Sequence, residues 1–484
     1  MGPLSPAPSD NKMVAFGKPM RKLFPLHPDW TNLNHGSFGT FPHAVREERQ
    51  RFEDELDGIP DTFIRYASPG YIDNSRAALA KYLNVPMNEV VYVKNATTGV
   101  NVVLRNLVYK PGDIIVYFSC IYGACEKTIA YLAEVTPLKA RKIMLEFPCT
   151  HDDIIQRFTD VVRKARAEGL NVRIALFDTI ASQPGLRLPF ERLVEACREE
   201  GILSCIDGAH GVGQIPLDLA KLNADFFVSN CHKWLYTPRG SAVFHVPVRN
   251  QHLIRTTLPT SWGFQPAPDV LSDAVPRSSK PIRFPSVLPP GGSKSTFEHL
   301  FEYVATNNDI PYFCIPAALK FRQEVCGGEA RIMEYCENLA FEAGNLVAKI
   351  LGTDILCEPG AEMQTTRGAS QFRRCALVNV RLPIAVDDGT GAHHEGNKGY
   401  PVIKLSSVEP LARWIEKELT YKHNTMLPVF HLGAWMWARL SAQIYLELED
   451  FEWAGNVMKG ILERVAKGEG PGGLEIDLEN LKIN

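Results

Sequence analysis

Two residues of this chain have the types and spacing to run acid–base chemistry at one carbon atom. From Ala224 to Gly240 the sequence reads ADFFVSNCHKWLYTPRG, in which an apolar run at Phe226, Phe227 and Val228 leads through Ser229 into Cys231-His232-Lys233. Upstream, GILSCIDGAHGVG holds a second short apolar run that ends on Asp207, 26 residues before Lys233. A lysine just past one strand and an aspartate at the end of another suit pyridoxal phosphate. The amine forms a Schiff base with the cofactor aldehyde, and the carboxylate keeps the pyridine nitrogen protonated so that the ring accepts electrons from a substrate carbon. Alone, such a pair is more often a surface lysine and a helix-capping aspartate, so its neighbours decide.

Those neighbours can hold a phosphate. Ser229 and His232 flank the lysine, where a tight turn would aim a hydroxyl and an imidazole at an anion. Further upstream, VVYVKNATTGVNVVLRNL reads as a strand, then Asn95-Ala96-Thr97-Thr98-Gly99, then an apolar-periodic helix. Backbone N–H groups at a helix N-terminus attract phosphate, threonine hydroxyls add donors, and small residues let the anion approach. An ordinary helix cap explains that stretch by itself. Three such elements at strand ends are harder to explain without a bound phosphate.

In combination these motifs resemble the class V aminotransferase-type enzymes of pyridoxal phosphate fold type I, from about residue 30 to about residue 455. The markers are NATTG, Tyr122 in CIYGACEKT, Ser182 in ASQPG, IDGAHGVG and SNCHKW. The resemblance implies an α/β fold: a large domain with a mainly parallel sheet between helices, and a smaller C-terminal α/β domain. It implies that Ala96, Thr97 and Thr98 hold the phosphate with Ser229 and His232 opposite. Asp207 would pair with the pyridine nitrogen, His210 would lie near the phenolic oxygen, and Lys233 would carry the cofactor. Ala209 and Tyr122 would pack on the two ring faces, with Ser182 a nearby polar position. The segment WARLSAQIYLELEDF implies that Arg439 binds a substrate carboxylate through its fork of N–H groups. LPTSWGF and YVATNND resemble segments that a second subunit offers across a homodimer. Thr306 would there reach the partner's phosphate, and Trp262 and Phe264 would wall its pocket. The family pattern beside Thr306 is Gly-Thr-Arg, whereas this chain has Ala305-Thr306-Asn307. Asn34-His35-Gly36-Ser37-Phe38-Gly39 resembles the loop that covers the substrate.

Composition agrees with a soluble enzyme. The chain has 484 residues, 45% hydrophobic and 22% charged, enough for one or two large cores. A net charge of −3 gives no general attraction to nucleic acid or anionic membrane, and no apolar run reaches the roughly 18 residues of a spanning helix. Eleven cysteines, without metal-ligand spacing, suit a reducing, cytoplasmic setting rather than a disulfide framework. His393-His394 lies in a glycine-rich loop and reads as solvated, so no metal is expected. DGAHGVG departs from the dinucleotide fingerprint.

The elements that must position these residues alternate. Short apolar runs at 90–93, 114–118, 171–178, 202–206, 225–230 and 241–246 are separated by polar-apolar stretches, the pattern of a mainly parallel sheet covered on both faces. Ligands of such sheets bind at the carboxyl ends of strands. Residues 1–30 read as a flexible tail, 31–310 as the large domain and 311–484 as the small one, with a Pro/Ser/Gly-rich excursion at 265–294. GEARIMEYCENLAFEAGNLVAKILG predicts a long amphipathic helix with Ile332, Cys336, Leu339, Ala343, Leu346, Val347 and Ile350 on one face.

Chemistry at Cα of an amino acid divides into several reactions. A desulfurase needs a nucleophilic cysteine on a mobile loop, and only Cys326, beside two glycines, has such a setting. RTTLPTSWGF, SNCHKWLYTPRG and IYGACEKT resemble the isopenicillin N epimerase-like branch and, within it, fungal hercynylcysteine sulfoxide lyases of ergothioneine biosynthesis. That resemblance implies β-elimination from an amino-acid sulfoxide, with Lys233 as base, Asp207 sustaining the electron sink and Tyr122 as proton donor. Phe38, Trp262, Phe264 and Tyr303 would face the substrate's trimethylammonium. An epimerase, a cysteine desulfurase-like enzyme and a non-catalytic pyridoxal phosphate-binding protein are the alternatives.

Overall fold

The computed structural model describes residues 13–266, 287–288, 292–361, 370–387, 389, 399–472 and 476–477. The apolar runs become strands of a seven-stranded sheet: β1 (Val90–Val93), β2 (Asp113–Phe118), β3 (Lys139–Ile143), β4 (Asn171–Asp178), β5 (Leu203–Asp207), β6 (Phe226–Asn230) and β7 (Ala242–His245). Their spatial order is β1-β7-β6-β5-β4-β2-β3. Strands β1, β2 and β6 are buried throughout and β4 and β5 nearly so, as expected when helices cover both faces. Pairs β2–β3, β2–β4, β4–β5 and β5–β6 are parallel. Strand β7 runs antiparallel to both β6 and β1, so β1 points the same way as β6. The carboxyl ends of β1, β2, β4, β5 and β6 therefore open on one rim, which carries the strand-end elements expected to hold the cofactor. Strand β3 closes an edge and keeps it polar, with Lys139, Ala140 and Lys142 exposed. Charged edge residues discourage pairing with other chains.

A second sheet contains β8 (Leu377–Asp387), β9 (Val402–Lys404), β10 (Val429–Leu432), β11 (Trp435–Ser441) and β12 (Ile476–Asp477), in the order β10-β11-β8-β9-β12. The expected amphipathic helix spans Glu329–Leu351 and buries Ile332, Cys336, Leu339, Ala343 and Val347, with Leu346 and Ile350 only half-buried. It approaches β8 so closely that a Cβ on Gly344 would lie 2.5 Å from a methyl of Val378.

Residues 13–30 differ from the expected tail. Met20 and Phe24 are buried, and Gly17 N–H donates to the Ile444 carbonyl at 2.8 Å. Their apolar side chains find a surface that a sequence pattern of scattered prolines does not announce. Most of the 265–294 excursion and the His393-His394 pair lie outside the described residues. Among the described residues no helix is long and apolar enough to cross a membrane.

Candidate active site

Asp207 ends β5, and Lys233 sits in the short helical turn Cys231–Trp234 that follows β6. Asp207 is buried, and its carboxylate accepts from the Ala209 N–H at 3.0 Å and from the Cys125 thiol at 3.5 Å. Burial raises its pKa. Asp178, at the end of β4, is the registered neighbour of Asp207 across the parallel pair. Side chains in register on parallel strands share a face, so two carboxyl groups lie together. Asp178 is also buried, its Oδ1 has no partner, and burial followed by the charge of Asp207 pushes its pKa well up. Sequence reasoning missed Asp178, although its place at a strand end was visible.

Burial, then the neighbouring Arg439 guanidinium, pushes the Lys233 pKa down to about 8. Its Nζ lies 3.1 Å from Nε2 of His210, and burial holds His210 well below the usual imidazole range. The backbone beneath Lys233 is braced on two sides. His35 Nε2 contacts the Lys233 carbonyl, and its Nδ1 lies 2.9 Å from the Tyr445 hydroxyl. The fully buried Arg322 donates to the Trp234 carbonyl at 2.7 Å and to the Gly213 carbonyl at 2.9 Å. The loop before helix His43–Gly58 passes so near that a Cβ on Gly39 would lie 1.8 Å from the His232 carbonyl oxygen, and Gly39 has a φ of 62°. Only glycine fits that approach.

His35 was expected to face substrate. It is instead completely buried with both ring nitrogens occupied, so its place is behind the lysine. Asn34 does face the expected anchor: its Oδ1 accepts from Arg439 Nη2 at 2.9 Å, beside Ser37 Oγ at 2.9 Å from the same nitrogen. Arg439 Nη1 donates to the Ser182 carbonyl at 2.6 Å. Ser182 thus meets Arg439 chiefly through its backbone, with its hydroxyl 3.4 Å from the same nitrogen. Strand β8 holds this corner through Asn379, which pairs with Gly185 in both directions, at 2.8 and 3.1 Å. Arg439 is 1% exposed, its Nε has no partner, and among the described residues no carboxylate pairs with it. Burial lowers its pKa to about 10.

The phosphate side is rearranged relative to expectation. Helix Ala96–Asn106 is capped by Asn95, whose Oδ1 takes the Thr98 N–H at 2.8 Å and the Thr98 hydroxyl at 3.0 Å. The Ala96 N–H donates to Asn230 Oδ1 at 2.9 Å. Thr97 keeps its N–H and hydroxyl without a partner among the described residues. Ser229 is fully buried, donating to the Gly208 carbonyl and accepting from the Val212 N–H at 3.0 Å, so its hydroxyl is committed inside the fold. Its neighbour Asn230, missed in the sequence, turns Oδ1 to Ala96 and leaves its N–H2 as the donor there. His232 Nδ1 lies 3.0 Å from the Ser241 carbonyl, and burial lowers its pKa to about 4.

Tyr122 begins helix Gly123–Val135 and is 48% exposed, while Ala209 is half-buried. Phe38, Trp262 and Phe264 are exposed. Thr306 is exposed, with its hydroxyl 3.5 Å from that of Tyr303. Asn307 donates to Asp309 at 2.9 Å. The donor set fits pyridoxal phosphate: an amine, the buried carboxyl group of Asp207 for a protonated ring nitrogen, and a helix N-terminus open at Thr97. All eleven cysteines are buried and none forms a disulfide, and burial pushes the Cys326 thiol up to about 12. Among the described residues no group of three or more His, Cys, Asp or Glu could hold a metal ion.

Comparison with known proteins gives the family and the fold. The family described as aminotransferase class-V matches residues 68–261. The chain is 40% identical to the L-cysteine desulfhydrase-like protein lolT1 of Epichloe uncinata, over 95% of this chain and 99% of that one. It is 27% identical to the hercynylcysteine sulfoxide lyase of Schizosaccharomyces pombe, over 92% and 97%. Its fold is similar to that of the cystine C-S lyase C-DES, solved with cysteine persulfide, with a TM-score of 0.64 and 19% identity over 89% of this chain and 98% of that one. With its lysine, aspartate and strand-end rim in place, the chain belongs to the class V aminotransferase family of pyridoxal phosphate enzymes, among relatives named for carbon–sulfur chemistry.

Proposed function

We propose that the protein is a carbon–sulfur lyase acting on S-substituted L-cysteines, with hercynylcysteine sulfoxide as its substrate. The observation that carries the reading is Arg439, a buried cation without a carboxylate partner among the described residues, beside the Lys233 amine. A buried charge left unpaired is costly, and an α-carboxylate would pair with it while bringing Cα to the lysine. Pyridoxal phosphate, when bound, supplies an electron sink for the charge left on Cα. Thr97, Asn230 and His232 would hold its phosphate and Asp207 the proton on its ring nitrogen. Lys233 would take the Cα proton. The Cβ–S bond then breaks, its electron pair leaves with the sulfur group, and Tyr122 protonates that leaving group, on oxygen when it is a sulfenate, from the open side of the rim. A sulfoxide substrate yields a sulfenic acid, and the three-carbon remainder is hydrolysed to pyruvate and ammonia.

Phe38, Trp262, Phe264 and Tyr303 supply aromatic faces for a trimethylammonium group. The proposed assembly is a homodimer in which Thr306, Trp262 and Phe264 serve the site of the second copy. A second reading, cleavage of cysteine itself, is favoured by the 40% identity to a desulfhydrase-like protein. A desulfurase is disfavoured because every cysteine is buried. The test is pyruvate release from L-cysteine, S-alkyl cysteines, their sulfoxides and hercynylcysteine sulfoxide. The highest kcat/KM is expected for the last. A preference for L-cysteine would establish the second reading, and inversion at Cα without pyruvate would establish an epimerase.

A further inference from the structure

Lys233 meets an imidazole whose proton position is decided from behind. Trp234 Nε1 lies 3.1 Å from His210 Nδ1, and His210 Nε2 lies 3.1 Å from Lys233 Nζ. An indole N–H can only donate, so Nδ1 must accept. A neutral imidazole has one N–H, and it is then on Nε2, aimed at the lysine. The bond made by one ring nitrogen sets the state of the other. An ammonium at Lys233 would confront that N–H with a second donor. A free amine instead accepts from it.

We propose that Trp234 is a positioning residue that locks His210 as the Nε2–H tautomer and thereby favours the free amine of Lys233. The proposal deepens the lyase reading by assigning how its base is kept unprotonated, but it concerns the protein before any cofactor or substrate binds. Both partners are sealed from water, with His210 2% and Trp234 2% exposed. Other charged groups act on the pair as well. Arg439 disfavours the ammonium, Asp207 and Asp178 favour it, and His232 and His35 add to the field at His210. Trp234 differs from all of these because it acts through a hydrogen bond rather than through charge. Its removal should therefore change the tautomer, which the loss of a charge alone would not.

The experiment uses full-length cofactor-free protein with ¹⁵N-labelled histidine, and compares it with protein in which Trp234 is replaced by benzothienylalanine. That residue keeps the bicyclic shape and lacks the N–H. Long-range ¹H–¹⁵N spectra should show His210 protonated on Nε2 in the natural protein and a mixture of tautomers in the analogue. The pKa of Lys233, read from the pH dependence of its acylation by mass spectrometry, should rise by about one unit, the size expected for losing one hydrogen bond. Trp234→Phe should change both readings the same way if it folds. A natural protein with the proton on Nδ1 overturns the proposal, and so does an analogue in which tautomer and lysine pKa are unchanged. Neither reading depends on which substrate the enzyme cleaves, so failure here and failure of the lyase reading are separate results.

Discussion

A guanidinium sealed from water and given only neutral oxygens, as Arg439 is, stays charged at a cost that an anion would offset. Replacing it with glutamine should raise KM for every amino-acid substrate by roughly ten- to a hundredfold, the worth of a charged hydrogen-bonded pair at about 1.5–3 kcal/mol. The same change should alter the lysine. Lys233 captures an aldehyde as the free amine, which forms as pH rises through its pKa of about 8. The rate of cofactor capture should therefore climb with pH and level off above that value. Because the Arg439 charge helps to depress this pKa, the midpoint should move to higher pH in the glutamine variant. Absorbance-monitored reconstitution measures it, and an unmoved midpoint would separate the two residues. Asp178 gives a third expectation. A buried carboxyl with a raised pKa keeps its proton in the fold where the unfolded chain, with a pKa near 3.9, has released it. Its presence thus lowers stability as pH rises above that value. Asp178→Asn should raise the melting temperature of the cofactor-free protein, and by more at pH 7 than at pH 4.

At the scale of elements, one glycine controls how the N-terminal loop meets the lysine turn. Gly39→Ala should cut cofactor occupancy severalfold, because the new methyl would collide with the His232 carbonyl in a backbone region that side chains disfavour. Gly58→Ala, with open space around it, should not. Occupancy read from the cofactor's absorbance distinguishes them. The sheet itself was legible because fully buried strands are continuous apolar runs, and those of β2, β4, β5, β6 and β7 stand out in the sequence. Strand β3 did not, since KARKI carries the charges of an edge. Lys233, Asp207 and Arg439 were legible from their motifs. The phosphate donors were less so: Ser229 and Asn230 are consecutive in a strand, so only one can face the anion, and residue type does not say which. His35 reads as a site residue in sequence and is one in space, but on the far side of the backbone.

The whole molecule displays Phe38, Tyr122, Leu258 and Trp262 at its surface. In the proposed dimer, mixing Lys233→Ala protein with a Thr306/Trp262 double variant should restore activity, because half of the mixed dimer's sites would be intact. Mixed dimers that form and remain inactive would mean that both segments serve their own subunit. The burial of the cysteines has a further consequence. Sulfenic acids condense with accessible thiols, and sulfur released beside a reactive cysteine would modify the enzyme that released it. Here all eleven thiols are out of reach, and even Cys125, next to Asp207, donates inward and has its pKa pushed up by burial. Native protein should take up almost no iodoacetamide, whereas unfolded protein should take up eleven equivalents. A catalyst of the proposed kind sets reactive sulfur free many times over and must be chemically deaf to it, and this fold buries every thiol away from such a product.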